Sequence, residues 1–224
     1  KLTQLSHQLT VLNRVLRHDI RNNANIIRGH AELIAEDSVD TAEQINTNRQ
    51  RSTELVEMGK QARQVEQLLQ ADDLRIDPVE IVSLIESSCE QLAREYPDSI
   101  IDTALPDELV VYGHPLIESA LRNVLENAIE HTSQDRPRVV VRAETADDTV
   151  TIVVEDQCPP VPEIEYRVLT GDWMMDDVYH TSGLGLWLVY WIVDLSDGDV
   201  TFASRDPVGN SIRLRLPRAD TVPE

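Results

Sequence analysis

The sequence predicts an α+β protein in two parts. An N-terminal antiparallel helical hairpin, paired with a second copy as a dimeric four-helix bundle, precedes an α/β two-layer sandwich. Three observations predict this. In the first third, apolar residues recur in alternating steps of four and three, a heptad seam. After Asp72, Asp73 and Pro78 the pattern changes to short apolar or alternating runs bounded by turn residues, the mark of strands. Helical periods fall between those runs, as a layered mixture of strands and helices requires. A length of 224 residues has room for one or two such domains.

The elements follow in order. The seam runs through Leu5, Leu9, Leu12 and Leu16, then Asp19 or Ile20, Asn23, Ile26 or Ile27, and Leu33 or Ile34, with no Gly or Pro before Gly29. Periodicity lapses around Asp37 to Asp40, where Thr41 can cap a second helix running to about Leu69. A lone hairpin buries too little apolar surface, so a symmetric dimer is expected. We place this hairpin at residues 1–72 and a hinge at 73–78. The sandwich then spans 79–218, and 219–224 form a tail. Within the sandwich, helices are expected over Val79–Tyr96, Pro115–His131 and Gly185–Leu195. Strands are expected over Ile100–Leu105, Leu109–Tyr112, Arg138–Ala143, Thr149–Glu155, Val200–Ser204 and Ser211–Leu216.

Composition excludes some functions. The net charge is −20, from 40 acidic and 20 basic residues spread along the chain. Phosphates of nucleic acid would be repelled, and adaptation to high salt is the reading we favour over an ordinary acidic protein. Lys1 and Lys60 are the lysines, and the other basic residues are arginines. Cys89 and Cys158 lack metal-ligand or disulfide spacing, which points to a reducing cytoplasm. The longest apolar run, Leu184 to Val193, is about half of what a membrane helix needs. The chain begins in mid-pattern, so an upstream sensor or membrane segment is expected to be missing.

Two groups of residues carry chemistry. His18 flanks the seam, with Asp19 next to it and Asn22 one turn on. An imidazole can carry a phosphoryl group, and a carboxylate beside it can orient it. Alone, His18 would read as a solvated helix residue. In the helix around residues 115–131, Ile117, Leu121, Val124 and Ala128 form the buried face, flanked by Asn123 and Asn127. Amide oxygens suit Mg2+ that keeps waters and bridges phosphates. Solvated asparagines are the plainer alternative. Asp156 ends a strand, where it can accept a hydrogen bond from an adenine amino group or simply close a turn. Gly183, Leu184 and Gly185 open an apolar helix whose free N–H groups can hold phosphate oxygens. The long segment 157–182 before them has the length of a functional loop.

LRHDIRNNANIIRGHAELI, NVLENAIEHT, TSGLGLWLV and GNSIRLRLP together resemble the sensor histidine kinases of two-component systems. The resemblance covers essentially the whole chain and implies the ATP-binding (Bergerat, or GHKL) fold shared with gyrase, the Hsp90 chaperone and MutL. It implies that His18 is the phosphoacceptor, Asp19 its acidic partner and Asn22 a water-placing residue for dephosphorylation. It assigns Asn127 and Asn123 to Mg2+ and phosphate, and His131 to the nucleotide pocket. Asp156 falls to adenine, Gly183 to Gly185 to phosphate, and Ser211 to a threonine position near adenine. ATP and Mg2+ are the implied cofactors, and a homodimer and a response regulator receiver domain the implied partners. The sequence departs from the family at Asn23, usually proline, at Glu130, often basic, and at Thr181, usually glycine. The largest departure is Asp156-Gln157-Cys158-Pro159-Pro160, which lacks both glycines of Asp-x-Gly-x-Gly. Three functions are weighed: an autophosphorylating kinase core that passes phosphate to a regulator, a non-catalytic or phosphatase-biased signalling scaffold with impaired ATP binding, and a protein-serine kinase of the same fold. The last has no need of His-Asp-x-x-Asn on a dimer hairpin.

Overall fold

The computed structural model describes residues 20–34, 41–70, 75–132, 134–160, 183–206 and 208–219. The described residues divide into two compact units, one holding the first two helices and the other everything from residue 75 onward. No helix among them is long and apolar enough to cross a membrane.

The first unit contains α1 (residues 20–34) and α2 (Thr41–Gln70). Helix α1 runs unbroken through Asn23, which is buried as its seam position predicts. Met58 of α2 is buried, whereas Ile20, Leu33, Ile45 and Val56 are exposed. Thr47, Ser52 and Thr53 donate their hydroxyls back to the carbonyls of Glu43, Asn48 and Arg49, a habit of short polar side chains within helices.

The second unit runs β1 (Asp77–Glu80), α3 (Ile81–Glu95), β2 (Ile100–Ala104), β3 (Val110–Gly113), α4 (Ile117–Glu130), β4 (Arg138–Thr145), β5 (Thr149–Glu155), α5 (Gly183–Leu195), β6 (Asp199–Ser204) and β7 (Asn210–Pro217). Five strands form one sheet in the order β2-β4-β5-β7-β6, with β2 and β4 parallel and the other neighbours antiparallel. Side chains alternate across a sheet. Val139, Val141, Val150, Ile152, Val154, Ile212, Leu214 and Leu216 therefore share the inner face, and all are buried. Ile85, Leu92, Leu121, Leu125, Leu188 and Ile192 of α3, α4 and α5 are equally buried and supply the second layer.

The outer face is polar and knit by arginine. Arg138 meets Asp102 at 2.7 Å, Arg142 meets Glu155 at 2.7 Å and Arg213 meets Glu144 at 3.2 Å, each across neighbouring strands or one strand apart. The exposed pairs, Arg138–Asp102 and Arg213–Glu144, contribute about 0–1 kcal/mol each. They keep this face wet and fix register more than they hold the fold.

The start of the second unit differs from the sequence reading. A helix is expected from Val79, but residues Asp77–Glu80 pair with β3 as a two-stranded ribbon and the helix begins at Ile81. Glu80 is the reason. Its carboxylate accepts from the N–H groups of Val82 (3.2 Å) and Ser83 (2.7 Å), capping α3, and from Leu109 N–H at 3.0 Å. The returning N–H of Ile81 donates to Leu109 O at 2.9 Å. On the other side of β3, Ala219 is buried and donates to Val110 O at 2.9 Å.

Burial raises the Glu80 pKa, but the hydrogen bonds from Ser83, Leu109 and Val82 outweigh it and the net shift is downward. The folded state therefore gains from ionised Glu80 above its unfolded pKa and loses that gain as pH falls through the lower folded value. Glu80→Ala is expected to cost roughly 1–2 kcal/mol in urea unfolding at pH 7, with the difference from wild type shrinking at pH values below the unfolded pKa.

Candidate nucleotide site

Asp156 follows the last residue of β5 and is 4% exposed. Its Oδ1 accepts three hydrogen bonds, from Cys158 N–H (2.8 Å), Asn210 N–H (3.0 Å) and Asn210 Nδ2 (3.0 Å). Its own N–H donates to Asn210 O at 3.0 Å. Burial pushes the carboxyl above its usual pKa, and the bonds from Cys158 and Asn210 pull it back only in part. All three of these bonds fall on Oδ1.

Gly209 lets the two strands approach. Its φ is +128°, and a Cβ there would sit 2.3 Å from Asp156 O. Only glycine fits both the backbone angle and the space.

Cys158 stands where the resemblance would have a glycine, and its side chain is buried. The thiol donates to Ala128 O (3.4 Å) and Asn127 O (3.7 Å), tying the loop after Asp156 to α4. Burial, then the charge of Asp156, pushes this thiol up to about 12, so it stays protonated as a donor. Burial likewise raises Cys89 to about 11, and both cysteines are free.

Helix α4 buries Ile117, Leu121, Val124 and Ala128, the face that the sequence predicts. Asn123 and Asn127 are half-buried on its flank. Asn123 Nδ2 donates to Ser119 O at 2.9 Å, which commits the amino end and leaves the carbonyl end as an acceptor. His131 is exposed at the C-cap, and its N–H donates to Asn127 O at 3.4 Å. The Glu130 carboxylate accepts the hydroxyl of Tyr96 at the end of α3. An acidic residue at 130 is thus occupied by packing between helices. Among the described residues there is no cluster of three or more His, Cys, Asp or Glu that could cage a metal. Two amide oxygens fit a different binding mode, in which Mg2+ arrives with phosphates and keeps most of its waters.

Helix α5 opens at Gly183, so its unsatisfied N–H groups belong to the Gly183-Leu184-Gly185 turn. The preceding residues 161–182, including Thr181 and most of the long loop expected over 157–182, lie outside the described residues. So do His18 and Asp19, whereas Asn22 is exposed on α1.

The structure does not bring Ser211 to Asp156. Ser211 pairs with Glu155, so its side chain shares the outer face with Glu155, and Asn210 holds the inward position beside Asp156. Sequence reasoning missed Asn210 and Gly209. The signal for Gly209 was a glycine immediately before the closing strand. The parity of that strand decides between Asn210 and Ser211, and pairing with β5 sets it.

Residues 114–220 match the family of histidine kinase-, DNA gyrase B- and HSP90-like ATPases. This makes the second unit an ATP-binding domain of the GHKL class. Similarity extends beyond it. The chain is 28% identical over 218 residues to the sensor histidine kinase MtrB of Mycolicibacterium paratuberculosis, covering 89% of this chain and 38% of MtrB. A mycobacterial sensor histidine kinase MprB structure matches at 26% identity and a TM-score of 0.56, over 66% of this chain and all of that one (100%). The histidine kinase ThkA, solved in complex with the response regulator protein TrrA, matches in fold with a TM-score of 0.72 at 19% identity, over 97% of this chain and 65% of that one. Residues 114–220 thus match the GHKL-type ATPase family, the chain is similar to sensor histidine kinases, and it spans less than half of MtrB's length.

His114 joins the two helices that frame this site. Its N–H donates to Ser196 Oγ at 2.9 Å beyond the end of α5, and its Nδ1 accepts from Leu116 N–H at 3.2 Å before α4. Burial lowers its pKa. The unfolded chain therefore binds the proton more readily, so this contribution to stability is present above the unfolded pKa and is lost as pH falls through the folded one. Tm is expected to drop between pH 7 and pH 5, and to drop less in His114→Asn, as followed by circular dichroism.

Proposed function

We propose that this chain is the core of a sensor histidine kinase that phosphorylates His18 from ATP and passes the phosphoryl group to an aspartate of a response regulator. The observation that carries the proposal is Asp156: a buried carboxylate whose Oδ1 takes three hydrogen bonds, tied through Cys158 to the turn of α4 that bears Asn127. Its Oδ2 accepts from the adenine amino group. N–H groups at Gly183 to Gly185 receive phosphate oxygens. His131, at the end of α4, borders the nucleotide. Asn127, with Asn123 beside it, would hold Mg2+, which offsets phosphate charge when bound. His18 attacks the γ-phosphorus in line as the bond to the β,γ-bridging oxygen breaks and ADP leaves, while Asp19 orients the ring and accepts the proton from its other nitrogen. Asn22, exposed on α1, places water for the reverse, phosphatase reaction.

In this reading residues 1–72 form the dimerisation and phosphotransfer hairpin, 73–78 the hinge, 79–218 the catalytic domain and 219–224 the tail. The exposed apolar residues Ile20, Leu33, Ile45 and Val56 support a second copy packing on the helices as a four-helix bundle. The ThkA–TrrA complex supports a response regulator as the phosphate recipient. The core works in the cytoplasm below an upstream sensor, at high salt, where screening relieves self-repulsion of the acidic chain.

The altered segment from Asp156 to Pro160 favours the second reading, a signalling scaffold with impaired ATP binding. Titration with Mg-ATP separates the two, since micromolar binding supports the kinase and none supports the scaffold.

Incubation with γ-labelled ATP at high salt is expected to give an acid-labile label on wild type and none on His18→Gln. Label on the variant would overturn the assignment. Asp156→Asn is expected to keep the fold and to lose roughly tenfold or more in Mg-ATP affinity, measured by calorimetry. Val56→Glu is expected to shift the dimer to monomer in light scattering, because the charge would enter an apolar seam.

A further inference from the structure

Helix α4 ends at Glu130, and the closing carbonyls of a helix have no partner within it. Asn127 O keeps a long bond, 3.4 Å from His131 N–H. The chain has left the helix by Thr132, the residue whose N–H would otherwise meet Ala128 O. Ala128 is 1% exposed, so water is a poor substitute there. The donor comes instead from Cys158, 30 residues further along the chain. Its Sγ lies 3.4 Å from Ala128 O and 3.7 Å from Asn127 O, and the thiol proton is shared between them. The thiol thus caps α4 from another segment of the chain.

The segment that carries the thiol is fixed on both sides. Cys158 N–H donates to Asp156 Oδ1 at 2.8 Å, and Pro159 O accepts from Asn210 Nδ2 at 3.1 Å. Pro159 and Pro160 bring fixed φ angles of their own. We propose that Cys158 is a positioning residue for metal-assisted phosphate binding: by capping α4 it holds the last turn, and with it the amide of Asn127, in register with Asp156. A glycine at this place has no side chain to do this, so the tie belongs to this chain's own sequence. Without it the last turn of α4 frays, and the Asn127 amide samples orientations in which its oxygen no longer meets a cation. The inference rests on the metal-binding role proposed above for Asn127. Serine is the conservative replacement, because a hydroxyl donates to the same carbonyls, whereas the methyl of alanine does not.

The test is the gain in ATP affinity that Mg2+ brings, measured by calorimetry at high salt with Mg2+ and with EDTA on the chain of residues 1–224. A role confined to the fold weakens both measurements alike, whereas a role at the metal side reduces the gain. In Cys158→Ala the gain is expected to shrink by roughly three- to tenfold, the value of a lost hydrogen bond, with metal-free affinity within about twofold of wild type. Cys158→Ser is expected to keep the wild-type gain to within about twofold. Circular dichroism reports folding, and Cys158→Val, of similar bulk and without a donor, replaces the alanine variant if that one does not fold. The tie is also read with no nucleotide present: the infrared difference between wild type and Cys158→Ala is expected to show an S–H stretch lowered by hydrogen bonding. A band at the position of a free thiol, equal behaviour of the alanine and serine variants, or equal loss with and without Mg2+ overturns the proposal. If Asn127→Ala abolishes the gain while every Cys158 variant keeps it, the role of Asn127 stands and that of Cys158 falls. If wild type binds ATP but gains nothing from Mg2+, the role proposed for Asn127 falls and this inference with it. If wild type binds no ATP at all, the proposed function falls and takes this inference with it.

Discussion

One carboxylate oxygen organises the second unit where β5 ends and β7 begins. Asp156 Oδ1 collects three hydrogen bonds within a site almost closed to water, and each donor comes from a segment that has to meet the others there. Cys158 brings the loop after β5, and Asn210 brings the first residue of β7. Burial of a charge is unfavourable, and the donors recover only part of the cost, which is why the carboxyl remains harder to ionise than usual. A group kept under such tension is poorly explained as structural filler. An apolar residue of similar size would hold the strands together with less expense, and the carboxylate makes sense if a donor from outside also meets it.

Most of the fold was legible because its signals are local. The alternation in Arg138–Thr145 and Thr149–Glu155, and the apolar stripe of α4, depend on the residues themselves. What escaped depends on partners distant in sequence. Asp77–Glu80 becomes a strand because β3 offers it a ladder and Glu80 reaches Leu109, and nothing in DPVE announces this. Asn210 rather than Ser211 faces Asp156 because the pairing of Glu155 with Ser211 sets the parity of the closing strand. The missing glycines after Asp156 read as a defect in the sequence. In the structure Cys158 supplies hydrogen bonds that a glycine could not, so the segment is held by a side chain. Glu130, similarly, is engaged by Tyr96.

The arginine-rich composition also finds a structural reason. A planar guanidinium reaches across a strand and fits a carboxylate better than an ammonium does. On the outer face of the sheet Arg142 and Arg205 both approach Glu155, at 2.7 and 3.4 Å, and Arg215 approaches Asp199 at 3.7 Å. Cations in a chain of net charge −20 are thereby placed opposite anions of the same sheet.

The turn between β6 and β7 has a consequence for how the gene can drift. Val208 is 54% exposed and meets few constraints, so many codons are acceptable there. Its neighbour Gly209 has backbone torsion and atomic clearance that no other amino acid satisfies. Substitution is thus almost free at one codon and closed at the next, and the boundary between the two marks where the surface ends and the close approach of β7 to the end of β5 begins.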